Sequence, residues 1–301
     1  MSTLVEQPQA ANPFQAPRTA HNARRRAANY AIIALSLLAT AFAVAVLLYL
    51  LLYVLGAGLP YINLDLFTKI PTANGEPGGG LAPSIQGSLI LVGLASLFGV
   101  PLGLFVGIYL SEFGKQGAIA TGVRFLVDVL IGIPTIIFGL FAWIFIVVPQ
   151  QAFSGLAGGV ALGIIMIPIV ARTSEEVLRL VPKELREASL ALGATESRTI
   201  LLVVIPAASR GIITGIVLAM ARVAGETAPL LMTAFGNPFL STNIAQPMDA
   251  LPLRIFNFAE SPYQAQINQA YAGSIVLIVL ILLASFAIRW ATGGFKRSVR
   301  R

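Results

Sequence analysis

Apolar residues in this chain come in runs far longer than those of a soluble protein. Tyr30 to Ile62 gives 33 residues without a charge, and Phe141 to Ala171 gives 31. Each run is long enough to cross a bilayer as a helix, which needs about 20 apolar residues. Six spans are predicted, over roughly 30–55, 84–111, 124–149, 156–172, 207–232 and 268–290. The pattern therefore predicts an all-α polytopic membrane protein with six transmembrane helices.

Composition and charge support this class and orient the chain. Only 11% of the residues are charged, against about 25% in soluble domains. With both ends inside, the inner segments hold 17 of the 20 Lys and Arg residues, while the outer loops hold only Lys69 and Arg254. Positive residues concentrate on the cytoplasmic side of membrane proteins, so both termini are predicted to be cytoplasmic, in a bacterial plasma (inner) membrane. Orientation explains the net charge of +7 better than binding to nucleic acid does.

The chain divides into a membrane domain and two tails. Residues 1–29 are rich in polar residues and Pro and end in three arginines, which predicts a disordered cytoplasmic tail. Residues 30–290 form the six-helix domain, and 291–301 form a basic cytoplasmic tail. There is no cysteine, and the one histidine is His21 in the tail, so disulfides and thiolate sites are excluded and no metal or cofactor is expected. Glycines spaced by four, such as Gly99, Gly103 and Gly107, predict close helix packing.

Arg222 and Glu226 are the only ionisable residues between Gly211 and Phe235. An arginine near the bilayer centre costs about 2.5–3.5 kcal/mol, and an offset of four residues on a helix predicts an ion pair with Glu226. Gly225 and Pro229 weaken the helix at this point, as in the broken helices with which transporters bind ions. One interpretation is a pair that pins helices together. The other is a site on the substrate path, where the guanidinium binds phosphate or carboxylate oxygens.

Further charges lie near the inner ends of spans three and four. Arg172 is interpreted either as an inner-surface anchor or as a lining residue of the substrate path. Asp128 follows Arg124 by four residues, which predicts a salt bridge between the two. Pro134 and Pro168 are expected to kink their helices.

The inner loop 173–206 is too long and too patterned for a simple turn. Pro182 suits a helix start, Gly193 suits the position after a helix end, and Thr195 gives a modest restart signal. Two short helices are therefore predicted. They either rest on lipid headgroups as an amphipathic surface element or dock onto a protein partner.

This loop resembles the EAA loop of ABC importer permeases, whose pattern is E-A-A-x3-G-x9-I-x-L-P. The spacing matches at every position, with Ser, Val and Ile as conservative replacements. In that family the loop forms a coupling helix that docks onto a cytosolic ATPase. The resemblance implies that the ATPase-coupling residues are Glu187, Ala188, Ser189, Gly193, Val203, Ile205 and Pro206. The chain has no Gly-x4-Gly-Lys-Ser/Thr phosphate loop, so ATP would be hydrolysed by the partner and the chain itself is not an enzyme.

Three longer stretches resemble PstA-type permeases of phosphate ABC importers. They are residues 128–141, 167–195 and 221–237. The resemblance implies a type I importer permease that forms half of a phosphate pathway. Its partners would be a PstC-type sister permease, two copies of a cytosolic ATPase and an extracytoplasmic phosphate-binding protein.

Other functions fit the sequence less well. An importer for another oxyanion and the PstC-type role are the nearest alternatives. A secondary transporter leaves the EAA loop unexplained. An intramembrane protease lacks the motifs of zinc, aspartyl or serine chemistry.

Overall fold

The structure of the protein is a computed structural model that describes residues 19–73, 75–76, 78–114 and 117–291. The chain divides into two compact units, Met1–Tyr53 and Val54–Arg301. Helix α1, Thr19–Gly58, forms the described part of the first unit and continues into the second. It begins inside the range predicted as a tail, of which residues 1–18 lie outside the described residues. The predicted basic tail 291–301 also lies outside them, apart from Ala291.

Helices make up most of the second unit. Pro83, Pro229 and Pro252 each stand in the first turn of a helix, where a missing N–H costs nothing. The helices are α2 Leu64–Thr68, α3 Ala82–Ile108, α4 Ala118–Gly132, α5 Thr135–Ala142, α6 Val148–Gln150, α7 Gly155–Arg179, α8 Lys183–Ala191, α9 Glu196–Thr199, α10 Ile205–Ala224, α11 Ala228–Thr233, α12 Leu251–Ala259 and α13 Gln264–Ala291. A 3-10 turn follows α1 at Leu59–Tyr61, and π-helical turns occupy Tyr109–Phe113, Trp143–Val147 and Ile200–Val204.

The predicted all-α membrane architecture is confirmed. Among the described residues, five helices are long and apolar enough to cross a membrane, and a sixth span results if one bent pair is counted as a single crossing. The bent pair is Ala118–Gly132 with Thr135–Gln150, and it corresponds to the predicted span 124–149. The predicted span 207–232 is also two helices, α10 and α11, and not one.

Helix α7 is the centre of the second unit, because α3, α4, α5, α10 and α11 all pack against it. The predicted glycine contacts explain how closely they approach. A Cβ atom added to Gly103 would lie 2.7 Å from the carbonyl oxygen of Ile167, and one added to Gly107 would lie 2.8 Å from that of Ala171. These distances leave no room for a side chain, so the backbones of α3 and α7 are in direct contact.

Two of the π-helical turns stand directly before a proline. Trp143–Val147 is followed by Val148 and Pro149, and Ile200–Val204 is followed by Ile205 and Pro206. Proline has no N–H to bond the carbonyl four residues earlier. The helix accommodates the missing bond by widening for one turn.

Candidate functional site

The helix that carries Arg222 ends two residues after it. Helix α10 stops at Ala224, and the backbone N–H of Gly225 bonds back to the carbonyl oxygens of Arg222 and Val223. The chain resumes as the short helix α11 at Ala228, with Pro229 in its first turn. The predicted weakness at Gly225 is therefore a true interruption of the helix.

A second interruption lies in the bent pair of helices. Pro134 keeps the preceding residue out of the helical region, and Ile133 is extended, with φ −72° and ψ 135°. Helices α4 and α5 consequently meet at a bend of 100°. The prediction of a kink at Pro134 is confirmed, whereas α7 continues as a helix through Pro168.

The two interrupted helices pack against each other. Helix α5 follows the break at Pro134, helix α11 follows the break at Gly225, and the two are in contact. The contact is tightest at Gly139, where an added Cβ atom would lie 2.6 Å from Cα of Pro229. Discontinuous helices that meet in this way are the elements from which transporters build substrate sites.

Arg222 and Glu226 do not form the predicted ion pair. Arg222 is in the last turn of α10 and exposed, while Glu226 lies beyond the helix end and is half-buried. Neither belongs to any ion pair between described residues. The prediction is wrong because the four-residue rule needs an unbroken helix, and this helix ends between the two residues. The carbonyl groups at the helix end favour a nearby cation by about 0.3–1 kcal/mol.

Arg222 lies on an exposed stripe of α10. Exposed positions recur every four residues at Arg210, Thr214, Leu218 and Arg222, so they share one face of the helix. Arg210, like Arg222, takes part in no ion pair between described residues. The stripe presents two guanidinium groups and one hydroxyl group to the surroundings of the chain.

Arg172 is held by two carboxylates. Its Nε lies 2.8 Å from Oε1 of Glu176, and its guanidinium lies 3.5 Å from Oδ1 of Asp128. The predicted salt bridge of Asp128 with Arg124 is wrong, because Arg124 turns to Glu175 on α7, with 2.7 Å between Nε and Oε1. Helix packing thus overrides the local four-residue spacing.

The inner loop forms the two predicted short helices, α8 and α9. Gly193 has φ +83°, its N–H bonds to the carbonyl oxygen of Leu190, and the N–H of Ala194 bonds to that of Ser189. These two bonds define a Schellman motif, as expected of a glycine after a helix end. The hydroxyl group of Thr195 then accepts from the N–H of Arg198 and caps α9.

The EAA-like residues fall into two groups in the structure. Glu187, Ala188 and Ser189 lie on α8, which has no buried residue, and Gly193 follows its end. Leu185 and Leu190 of the same helix are also exposed, by 45% and 44%. The motif's other residues belong to the π turn and the start of α10, and are Val203, Ile205 and Pro206. The exposed surface of α8 is the part that is available to a partner.

Two buried carboxylates escaped the sequence analysis. Glu112, at the end of α3, pairs with Arg186 of α8, and Glu175 of α7 pairs with both Arg124 and Arg179. The available signal was the position of each glutamate within four residues of the end of an apolar run, where a charge is costly unless it is paired.

A third buried carboxylate, Asp249, holds the connection between α11 and α12. Ser84 donates to its Oδ2 at 2.6 Å, and Arg254 lies 2.7 Å from the same oxygen. Burial raises the pKa of this carboxyl above its ordinary value, although Arg254 opposes the shift. This group fixes the connection onto the first turn of α3.

Comparisons with known proteins agree with this architecture. Residues 99–301 match the family described as "Binding-protein-dependent transport system inner membrane component". The chain is 45% identical over 267 residues to the phosphate transport system permease protein PstA of Xylella fastidiosa, covering 88% of this chain and 93% of that one. It is 41% identical over 272 residues to the protein of the same name from Yersinia pestis, covering 90% and 92%. A chain of a bacterial alginate ABC transporter has the same fold, with a TM-score of 0.64 at 14% identity over 93% of this chain and 99% of that one.

Proposed function

We propose that this chain, which belongs to the PstA family of binding-protein-dependent transport system inner membrane components, forms one half of a phosphate pathway that an ATPase drives through α8. The chain is the permease subunit of a phosphate ABC importer. The PstA relatives favour this role over that of a PstC-type sister subunit, since they match about nine-tenths of the chain. The partners in the proposal are a sister permease, two copies of a cytosolic ATPase and an extracytoplasmic phosphate-binding protein.

The observation that carries the proposal is the exposed guanidinium of Arg222, which forms no ion pair with the described residues and lies beside the helix break at Gly225. A cation without a carboxylate partner among the described residues is available to an anion, and the planar guanidinium can donate two parallel hydrogen bonds to phosphate oxygens. The breaks leave backbone groups that lipid cannot satisfy, so a water-lined face is expected there. We place phosphate at Arg222 on the face that α10 turns towards the sister permease.

Glu226 would limit how tightly phosphate is held. It lies in the break, four residues after Arg222, where a change in the angle between α10 and α11 alters its distance from the guanidinium. In one arrangement Arg222 binds the anion, and in the other Glu226 replaces it. The carboxylate thus prevents the free guanidinium from trapping the substrate.

Arg172 would line the substrate path closer to α8. Gly211 and Gly215 of α10 lie against Val177 and Thr173 of α7, so the two helices are antiparallel and Arg172 is level with position 216 of α10. That level is six residues, or about 9 Å, from Arg222 in the direction of α8. Its two carboxylate partners reduce the net charge that it offers, which suits release more than capture.

Energy would reach the pathway through the exposed surface of α8. In this proposal α8 and both termini lie in the cytoplasm. Glu187 and Ala188 would therefore contact the cytosolic ATPase. Exposed Leu185 and Leu190 give this surface apolar groups to bury against a protein partner.

Uptake of labelled phosphate tests the proposal. Cells that lack the chain receive the wild type, Arg222→Gln, Glu226→Gln or the control Lys69→Gln, which removes a surface cation far from the breaks. Arg222→Gln should lower uptake about tenfold or more, since a hydrogen bond to a charged group contributes about 1.5–3 kcal/mol, while the ATPase still co-purifies. Unchanged uptake would contradict the role of Arg222. Excess unlabelled sulfate should not compete, and equal competition would instead support an importer for other oxyanions.

A further inference from the structure

A buried ion pair links α8 to the ends of the membrane helices α3 and α7. The guanidinium of Arg186 donates two hydrogen bonds to the carboxylate of Glu112, from Nε to Oε2 at 3.1 Å and from NH2 to Oε1 at 2.8 Å. The same guanidinium donates to the carbonyl oxygens of Leu178 and Val181, at 3.0 and 2.5 Å. Arg186 therefore joins α8 to the ends of α3 and α7 at once.

Arg124 makes the complementary connection. It binds Glu175 of α7 through Nε, and its NH2 donates to the carbonyl oxygens of Leu110 and Gly114 at the end of α3. Each arginine thus pairs with a carboxylate of one helix and caps the final carbonyl groups of the other. The ends of α3 and α7 are therefore connected by two arginines, Arg124 from α4 and Arg186 from α8.

Helix α8 has little else to hold it to this body. None of its residues is buried, and the apolar cluster above it is formed by residues outside the helix, Leu178, Val181, Val204, Ala208 and Ile212. Apart from Arg186, its side-chain bond to the rest of the described chain is the 2.9 Å contact between the hydroxyl groups of Ser189 and Thr199. Helix α8 also packs against the π turn Ile200–Val204, so Arg186 is the side chain that ties it to α3 and α7 in particular.

Because this ion pair is buried, its net contribution to the stability of the fold is expected to be small. The exposed side-chain fractions are 5% for Glu112 and 16% for Arg186. Desolvation of such a pair consumes most of its attraction, so apolar residues would often hold the helix as well. The pair instead fixes the orientation of α8, because a bidentate contact sets the angle as well as the distance between its partners.

We propose that Arg186 is a positioning residue that makes α8 move as one rigid body with the ends of α3 and α7, so that motion of the ATPase becomes motion of the membrane helices. This inference rests on the proposed docking of an ATPase at α8. Lysine cannot replace arginine here, since a point charge supplies neither the bidentate contact nor both carbonyl bonds.

The experiment compares transport with ATP hydrolysis in the assembled importer. Arg186→Lys and Glu112→Gln are purified with the partner ATPase, and phosphate moved per ATP hydrolysed is measured in proteoliposomes with the binding protein present. The matched control is Arg198→Lys, since Arg198 is an exposed arginine of the same loop that forms no ion pair with the described residues.

We expect ATP hydrolysis to persist in both variants while phosphate moved per ATP falls at least about tenfold, the scale seen when one partner of a buried, hydrogen-bonded charge pair is removed. A double variant that exchanges the charges, Arg186→Glu with Glu112→Arg, should recover part of the ratio. If transport and hydrolysis fall together with the amount of assembled complex, the pair is a static brace and the proposal is overturned. If no ATPase co-purifies with the wild type, the proposed function fails instead.

A distance measurement decides the matter if a variant does not assemble. The chain has no cysteine, so two introduced cysteines, Glu184→Cys on α8 and Phe113→Cys at the end of α3, can carry spin labels without background. In the otherwise unaltered importer, rigid-body motion predicts the same distance with and without bound ATP. A distance that changes with ATP would refute it.

Discussion

Replacing Gly139 by alanine inserts one methyl group where α5 meets α11. The added Cβ atom would lie 2.6 Å from Cα of Pro229 and 3.0 Å from its carbonyl oxygen. Both atoms belong to the backbone, so no side chain can rotate out of the way. The two helices must separate instead, close to the helix breaks at Pro134 and Gly225.

The magnitude follows from the overlap. Carbon atoms in contact are about 3.5–4.0 Å apart, so the backbones must separate by about 1 Å. Overpacking of this kind costs about 1–3 kcal/mol, whereas alanine gains up to about 1 kcal/mol over glycine within a helix. Gly122→Ala in α4 is the matched control, because it has the same gain in propensity and no atom within 4 Å of the new methyl group. The difference between the two variants then isolates the overpacking cost.

Thermal unfolding of the purified protein and phosphate uptake in cells measure the effect. Gly139→Ala should unfold at a lower temperature than Gly122→Ala, by an amount that corresponds to about 1–3 kcal/mol. It should also take up phosphate more slowly, because separation of α5 from α11 displaces the break beside Arg222. Equal unfolding temperatures and equal uptake for the two variants would refute the close contact and the reasoning built on it.

Three further changes test other parts of the structure. Gly193→Ala should weaken retention of the ATPase on purification, since a left-handed conformation costs an L-residue about 1–2 kcal/mol; Gly193→Asn should be milder, and equal retention in both would contradict the Schellman end of α8. Gly87→Ala should lower accumulation of the protein well below that of Gly93→Ala, because its methyl group would overlap the carbonyl oxygen of Asp249, whereas a methyl group at Gly93 meets no atom within 4 Å. Burial raises the pKa of the Asp249 carboxyl above 3.8, so the folded chain keeps this proton at a pH where the unfolded chain has lost it. The stabilisation that this proton provides is therefore complete below pH 3.8 and is lost as the pH rises through the raised pKa. As the pH rises above about 4, the unfolding temperature should fall less steeply for Asp249→Asn than for the wild type. Parallel curves for the two proteins would contradict the raised pKa.

Local patterns in the sequence predicted the parts of the fold that depend on local chemistry. The helix end at Gly193, the restart at Thr195 and the interruption at Gly225 each follow from the conformational preference of one residue or its neighbours. The glycines at intervals of four predicted close helix contact, because spacing alone puts them on one face. These features need no knowledge of which helix packs where.

Ion-pair partners could not be predicted in the same way. Helical spacing predicts ion pairs of Arg124 with Asp128 and of Arg222 with Glu226, and both predictions are wrong. Arg124 instead binds Glu175, 51 residues away, and only the packing of α4 on α7 brings these two together. At Arg222 the four-residue rule requires an unbroken helix, whereas the helix ends at Ala224, so the spacing does not bring Glu226 to the guanidinium.

Arg210 and Arg222 of α10 form no ion pair with the described part of the chain, and this constrains what this face of the helix meets. An arginine at the bilayer centre costs about 2.5–3.5 kcal/mol on insertion scales, and the break at Gly225 adds backbone groups that need water or protein. Arg210 is 12 residues before Arg222, about 18 Å along the helix, so one end of the bilayer cannot accommodate both by extension of their side chains. If the stripe faced lipid, the cost of burying Arg222 would not be offset by an ion pair with any described residue. We therefore expect the stripe to face a sister permease across water. A cysteine introduced at Leu218, which lies between the two arginines, should then react with a water-soluble thiol reagent. Absence of this reaction would contradict a water-facing stripe.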